Sequence, residues 1–310
     1  MENFRFFDFF GGLLESLSRK RGEGEGEGEE EKGEELALGE PQMLAGRVVL
    51  VTGGGRGLGF SIVQSALSAG ARVVSADLAF PPPAQAVQQA HPASLVHLVS
   101  DVTKAEDRER MVDAAMTRFG ALDGLVNNAA VDFCRPFLST TEGEWDRVLD
   151  VSLKATFFLS QAAVRRVRGA GTSRPLSIVN ISSVHGLLAM PGAGPYDSAK
   201  AGIINLTKCL AVELAEGTPT VRVNAVSPGL CDTDMVRKGV FAATPDKKQA
   251  WDYWARNIPQ QRMIEPSEVA APVLFLLSDG ASAMTGANLV VDGGMTSMLL
   301  STPPYQSKPY

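Results

Sequence analysis

Residues 47–59 read Arg-Val-Val-Leu-Val-Thr-Gly-Gly-Gly-Arg-Gly-Leu-Gly. The run from Arg47 to Thr52 is apolar and β-branched, as in a strand buried on both faces, and it ends abruptly in glycines. A helical pattern follows from Leu58 to Ala69, and Ala71–Leu78 (ARVVSADL) returns to a strand, so the stretch predicts a βαβ unit. Glycine allows a tight turn and lets backbone N–H groups at a helix N-terminus approach a pyrophosphate. In the turn Thr52–Gly59 the glycines that matter are Gly53, Gly57 and Gly59. With its strand, its helix and a second strand ending in an acid all in place, the turn is expected to bind a dinucleotide.

That acid is Asp77, 18 residues beyond Gly59, where a carboxylate accepts hydrogen bonds from the adenosine ribose hydroxyls and repels a 2′-phosphate. Arg56 in the loop is the counter-signal, because a guanidinium pairs with phosphate. Asp77 occupies the ribose position and Leu78 beside it carries no positive charge, so NAD is expected over NADP.

Outward from this unit the alternation continues: SLVHLVS (94–100), a helix near Ala105–Phe119, ALDGLVN (121–127), helices near Glu142–Arg168, and LSIVNIS (176–182). Then come a helix over Tyr196–Ala215, TVRVNAVS (220–227), an irregular region to about Pro266, a helix to Leu277 and a last strand NLVVD (288–292). Strands separated by helices imply a parallel sheet covered on both faces, so the expected class is α/β, a single doubly wound Rossmann sheet of about seven strands. Ligands of such sheets sit at the carboxyl ends of the strands, where the order reverses, and each motif below falls at such an end.

The spacing TGxxxGxG resembles that of the short-chain dehydrogenase/reductase family, and the likeness runs from about residue 44 to 296. It is carried further by Asp101-Val102, Asn127-Asn128-Ala129, Ser183, Tyr196 with Lys200 in YDSAK, Pro228-Gly229 followed by Thr233, and VDGG at Val291–Gly294. The resemblance implies an oxidoreductase that interconverts a secondary alcohol and a ketone by hydride transfer. It also implies cofactor contacts from Gly53, Arg56, Gly57, Leu58, Gly59, Asp77, Asp101, Val102, Asn128, Ala129, Tyr196, Lys200, Pro228, Gly229 and Thr233. Homo-oligomers, tetramers or dimers, are implied by analogy, with the helices after the fourth and fifth strands at the interface.

The chemistry also follows from the residues. Positions four apart share one helix face, so the Lys200 ammonium is expected beside the Tyr196 phenol. A free phenol has a pKa of about 10, and a nearby cation favours the phenolate and lowers that value. Tyr196 then becomes a usable general acid/base, and Ser183, 13 residues upstream at a strand end, is expected to orient the substrate oxygen. One position departs from the family pattern: VLDVSLKATFF puts Ser152 where an Asn usually supports a water on the proton path to the lysine. A serine offers one hydroxyl instead of an amide, and Ser152 is retained as a candidate catalytic residue. His185 either assists Ser183 or caps the strand end, the second being the simpler reading.

Residues 230–262 and 131–135 are expected to set specificity. Met235, Phe241, Trp251, Tyr253 and Trp254 form either a lid or a helical pair packed on the body. Asp132 and Arg135 suit a polar substrate, and the choice among a sugar, a cyclic alcohol, a steroid and a 3-oxoacyl thioester stays open. A sugar-nucleotide epimerase of the extended type would use TGxxGxxG and add a C-terminal substrate region, and this sequence has neither.

The 310 residues are 45% hydrophobic, with 29 Lys plus Arg against 35 Asp plus Glu, a net charge of −6. Residues 22–35, GEGEGEGEEEKGEE, hold eight Glu and one Lys, which leaves +1 on the remaining 296. The acidity therefore belongs to a tract expected to be disordered, and the body is nearly neutral. Upstream, Phe6, Phe10, Leu13 and Leu17 fall at helical spacing, which fits either a docking helix or an extension without a role; Glu2, Asp8 and Glu15 argue against a cleaved leader. Residues 1–46 are thus read as an extension, 47–297 as the dinucleotide-binding catalytic domain and 298–310 as a tail. A rival function is a catalytically weak nucleotide-binding protein that acts on a partner through the extension. Cys134, Cys209 and Cys231 are odd in number and form no CxxC, and His91, His97 and His185 lie at no zinc-ligand spacing. A cytoplasmic protein without a metal is expected, with a small-molecule partner and neither nucleic acid nor a membrane span.

Overall fold

In the computed structural model, which describes residues 42–237 and 247–299, the run Val48–Thr52 is strand β1 in the interior of the sheet. It is followed by α1 (Gly57–Ser68), β2 (Arg72–Asp77), α2 (Pro82–Ala90), β3 (Leu95–Val99), α3 (Ala105–Phe119) and β4 (Gly124–Asn127). The second half adds α4 (Glu142–Leu149), α5 (Ala155–Gly169), β5 (Leu176–Ile181), α6 (Gly194–Glu213), β6 (Val221–Pro228), α7 (Lys247–Arg256), α8 (Pro266–Leu277) and β7 (Asn288–Val291). The seven strands are parallel in the order β3-β2-β1-β4-β5-β6-β7, so the expected doubly wound sheet is present and its order reverses between β1 and β4. Phe241, the acidic tract and the apolar segment ahead of it lie outside the described residues.

Strand side chains alternate between the two faces, and β1 shows why the run had to be apolar throughout. Val49 and Val51 pack with Ile62, Val63 and Ala66 of α1 and with Val269, Val273 and Leu277 of α8. Val48 and Leu50 pack on the other face with Met111 and Ala115 of α3, Leu159 and Ala163 of α5 and Leu210 of α6. Packing reaches upstream of β1 to Leu44, which is fully buried and whose N–H donates to Ala69 O at 2.9 Å. At the amino-terminal edge, the buried Asp123 carboxylate accepts from Val48 N–H (2.8 Å) and from Arg174 Nε and Nη2 (2.6 and 2.7 Å), tying β1 to β4.

Three boundaries differ from the sequence reading for local reasons. A helix forms over Pro82–Ala90 because proline, lacking an N–H, suits the first turn of a helix. Likewise α6 starts at Gly194, with Pro195 in its first turn, two residues ahead of Tyr196. The stretch read as irregular holds a single helical turn at Asp234–Val236 and α7. Among the described residues no helix is long and apolar enough to cross a membrane.

Candidate active site

The glycine loop lies at the carboxyl end of β1 and is shaped by contacts that leave no room for a side chain at Gly53, Gly54, Gly55 and Gly59. A Cβ on Gly59 would stand 2.0 Å from Gly53 O and 2.5 Å from Asn128 Nδ2. One on Gly54 would stand 2.2 Å from Ser75 Oγ, and Gly53 and Gly57 have φ of +65° and +55°. The loop thus leads into α1 with its backbone bare, the arrangement a pyrophosphate needs, and Leu58 enters the helix behind it. On the far side Thr233 closes the cleft: a Cβ on Gly57 would lie 3.6 Å from its methyl carbon.

Asp77 ends β2 facing this loop. Gly55 N–H donates to its Oδ2 at 2.9 Å and Leu78 N–H to its Oδ1 at 2.7 Å, which fixes the carboxylate while leaving lone pairs for hydroxyl donors. Arg56 is exposed at the loop's rim. Beyond β3, Asp101 turns the chain by accepting from Thr103 N–H (2.9 Å) and Oγ1 (2.7 Å), with Val102 next to it half-buried. Asn128 donates through Nδ2 to Thr52 O (2.9 Å) and Gly53 O (3.2 Å), while the N–H groups of Asn128 and Ala129 both donate to Thr52 Oγ1 (3.0 and 3.1 Å). This clamp joins the ends of β1 and β4 at the point where the strand order reverses. At the end of β6, Gly229 N–H donates to Val291 O at 2.8 Å, and a Cβ there would stand 2.8 Å from Asp292 Cα, so Pro228-Gly229 is pressed against the chain after β7. The residues present therefore fit a dinucleotide laid across the carboxyl ends of β1, β2, β4 and β6.

Ser183, Tyr196 and Lys200 come together beside that cleft. Ser183 is buried two residues past β5, and its side chain favours the phenolate of Tyr196. Lys200, one turn along α6, is 2% exposed; its Nζ donates to Ile181 O at 2.9 Å and stands 5.5 Å from the centre of the Tyr196 ring. Ser182 Oγ donates to Lys200 O at 2.8 Å, which ties the end of β5 to the helix.

The electrostatics correct one expectation. Burial pushes the Tyr196 phenol above its ordinary value, Asp132 and Asp197 push it further, and the Ser183 side chain pulls the other way. The downward shift expected from Lys200 does not prevail, because desolvation penalises the phenolate and the two carboxylates add to that penalty. Burial also lowers Lys200, to about 8.

Ser152 lies on a π-helical turn, Asp150–Lys154, between α4 and α5. It is 1% exposed and its Oγ has no partner, while its carbonyl accepts from Thr156 Oγ1 at 2.6 Å. The turn abuts α6, since a Cβ on Gly202 would stand 2.8 Å from Leu153 Cδ2. His185 does more than end a strand. Its N–H donates to Ser183 Oγ at 3.2 Å, its Nδ1 lies 2.6 Å from Asp197 Oδ1, and its ring meets that of Tyr196 edge-on at 5.4 Å. Arg135, expected to suit a polar substrate, is half-exposed and paired with Glu144 at 2.8 Å, and its N–H donates to Gly192 O at 2.9 Å.

Several of these residues escaped the sequence reading. Thr52 was only the end of a strand, and Asp197 only the second letter of YDSAK. Asn127 Nδ2 donates to Asn180 Oδ1 (2.8 Å) and Ser160 Oγ (3.1 Å), and Asn180 Nδ2 to Thr207 Oγ1 (3.0 Å), a buried polar chain beneath the site. Asn127 was read as the first residue of the Asn127-Asn128-Ala129 motif, but its bonds to Asn180 and Ser160 had no signal in the sequence.

Comparison with known proteins agrees with this geometry. The protein-family model described as enoyl-(acyl carrier protein) reductase matches residues 53–296. Human dehydrogenase/reductase SDR family member 4 is 37% identical over 261 residues, 83% of this chain and 90% of that protein. The crystal structure of levodione reductase superposes with a TM-score of 0.76 at 32% identity, covering 82% of this chain and 99% of that one. The aldohexose dehydrogenase of Thermoplasma acidophilum gives a TM-score of 0.75 at 34% identity, covering 84% and 98%.

Proposed function

This chain belongs to the short-chain dehydrogenase/reductase family and is an NAD(P)-dependent oxidoreductase, and from that premise we propose that it interconverts a secondary alcohol and a ketone with NAD as the preferred cofactor. The observation that carries the proposal is the meeting of Ser183, Tyr196 and Lys200 beside a cleft in which Gly53, Gly54, Gly55 and Gly59 leave no space for a Cβ. Bound NAD would supply the hydride acceptor for oxidation, and its reduced form the donor for reduction, at C4 of the nicotinamide.

In this reading Ser183 Oγ and the Tyr196 phenol hold the substrate oxygen. Tyr196 gives its proton to that oxygen when a ketone is reduced and takes it back when an alcohol is oxidised. The raised phenol keeps its proton at neutral pH, which favours its use as the acid. Lys200, fixed by Ile181 O, holds its charge against the tyrosine ring and would bind the nicotinamide ribose. The unpartnered Ser152 hydroxyl, buried against α6, is suited to hold one water on the proton path, the part the usual asparagine plays. A panel of secondary alcohols and ketones, read by nicotinamide absorbance with both cofactors, tests the assignment. Binding of NADH without turnover on any member would leave only the binding-protein reading.

Cofactor preference rests on Asp77. A 2′-phosphate there would meet a pinned carboxylate, so kcat/KM should favour NAD(H), and Asp77→Ser should narrow the ratio by about tenfold or more. A wild-type preference for NADP(H) would refute the assignment.

We also propose a cytoplasmic homo-oligomer, a tetramer or dimer, formed through α5 and α6. Phe157 and Phe158 are 38% and 39% exposed and Val212 81%, large apolar side chains on adjacent helices. Sedimentation velocity should find a species larger than one chain, which Phe157→Glu with Phe158→Glu converts to monomer. An unchanged wild-type monomer would exclude this interface.

A further inference from the structure

The His185–Asp197 pair packs against Tyr196, with the His185 ring edge-on to the tyrosine ring at 5.4 Å, where nothing in the hydride chemistry requires it. Asp197 uses both oxygens: Oδ1 meets His185 Nδ1 at 2.6 Å, and Oδ2 accepts from Met190 N–H at 2.9 Å. One carboxylate therefore holds both the imidazole and the loop Leu187–Gly192 against the first turn of α6. In the tautomer that donates Nδ1–H to this carboxylate, Nε2 is the ring's hydrogen-bond acceptor. No described residue hydrogen-bonds Nε2, and the side chain is 23% exposed. The ring's position is set two ways, by Asp197 and by the edge-on contact with Tyr196 at 5.4 Å, and the backbone N–H of His185 ties its main chain to Ser183 Oγ at 3.2 Å. His185 is thus held against Tyr196 and Ser183, the two residues whose hydroxyls are proposed to hold the reacting oxygen.

We propose that His185 is a specificity-determining residue whose Nε2 accepts a hydrogen bond from a hydroxyl on the carbon next to the reacting one, so that vicinal diols and their α-hydroxy ketones are the preferred substrates. The inference rests on the oxidoreductase reading above. In the oxidative direction the carbinol C–H bond breaks and its two electrons leave with the hydride to NAD, the O–H proton passes to Tyr196, and the neighbouring hydroxyl is unchanged. Asp197 acts through His185 and is a positioning residue.

The test compares kcat/KM with NAD for matched pairs: cis-1,2-cyclohexanediol against cyclohexanol, and 2,3-butanediol against 2-butanol. Wild-type protein should prefer the diol of a pair by about tenfold or more, since a site built for a hydroxyl discriminates against the analogue lacking it. His185→Asn reaches Asp197 as Nδ1 does but has no group at Nε2, and should bring the ratio close to one. His185→Gln places its amide near the Nε2 position and should restore part of the preference. In the holoprotein, cis-1,2-cyclohexanediol should shift the imidazole 15N resonance of Nε2, and cyclohexanol should not. A role confined to structure predicts that His185→Asn lowers both members of a pair equally; that result, or no diol preference in the wild type, overturns the inference. If no pair is turned over although NADH binds, the secondary-alcohol reading falls with it.

Discussion

Tyr196→Phe should lower kcat in both directions by about a thousandfold, within the range that a positioned proton donor contributes. The exchange removes one hydroxyl and keeps the ring, so the edge-on contact with His185 at 5.4 Å and the Lys200 ammonium 5.5 Å from the ring centre are retained. Melting temperature and NADH affinity should therefore match the wild type. A variant within about tenfold of wild-type kcat would end the assignment of Tyr196 as acid/base. The pH dependence adds a second check. Because burial and the Asp132 and Asp197 carboxylates raise the phenol, its proton is in place throughout the neutral range. Ketone reduction should then be nearly flat with pH there, while alcohol oxidation, which needs the phenol deprotonated, should climb as pH rises. Lys200, lowered to about 8 by burial, loses its charge at mildly alkaline pH, so the climb should flatten above that point. A reduction rate that falls steeply between pH 6 and 7.5 would contradict the raised phenol.

Gly59→Ala should abolish dinucleotide binding, with Kd for NADH rising by about a hundredfold or more. The added carbon would stand 2.0 Å from Gly53 O and 2.7 Å from Gly53 C, and both are backbone atoms that cannot swing aside as a side-chain tip would. The loop must open, which also pulls on the Asn128 Nδ2 bonds to Thr52 O and Gly53 O. A stability loss of roughly 1–3 kcal/mol, the usual cost of overpacking, should accompany it. Gly143→Ala on α4 is the control: nothing lies within 4 Å of its added carbon, and alanine is the better helix former by about 1 kcal/mol. Isothermal titration with NADH and thermal melts of the two variants separate the effects. Near-normal NADH affinity in Gly59→Ala would mean that the cofactor does not lie on this loop.

The fold was legible because a buried parallel strand must be apolar on both faces and must be followed by a crossover. The run Arg47–Thr52 meets both demands within a dozen residues, and Thr52–Gly59 carries the sterically demanded glycines in plain view. Helix starts were less legible where prolines intervened, at Pro82 and Pro195, since the same residue that breaks a helix interior suits its first turn. Of the site, Tyr196 and Lys200 were readable because they are four apart on one helix, and a helix's geometry is known in advance.

Nothing local, by contrast, predicts that Thr52 clamps Asn128 from 76 residues away, that Asn127 bonds Asn180 across 53, or that Asp123 takes Val48 N–H across 75. Those partners lie on different strands and meet only through sheet order. The same holds for charge. Spacing places Lys200 beside Tyr196 and argues for a lowered phenol, yet its actual direction depends on desolvation and on Asp132, a residue on another loop. Chemistry confined to one turn of backbone could be read from the chain, because local geometry is set by bonded neighbours. The proton affinity of Tyr196, the pairing of His185 with Asp197 and the clamp on the glycine loop come from packing, because burial and through-space fields exist only once distant strands are side by side.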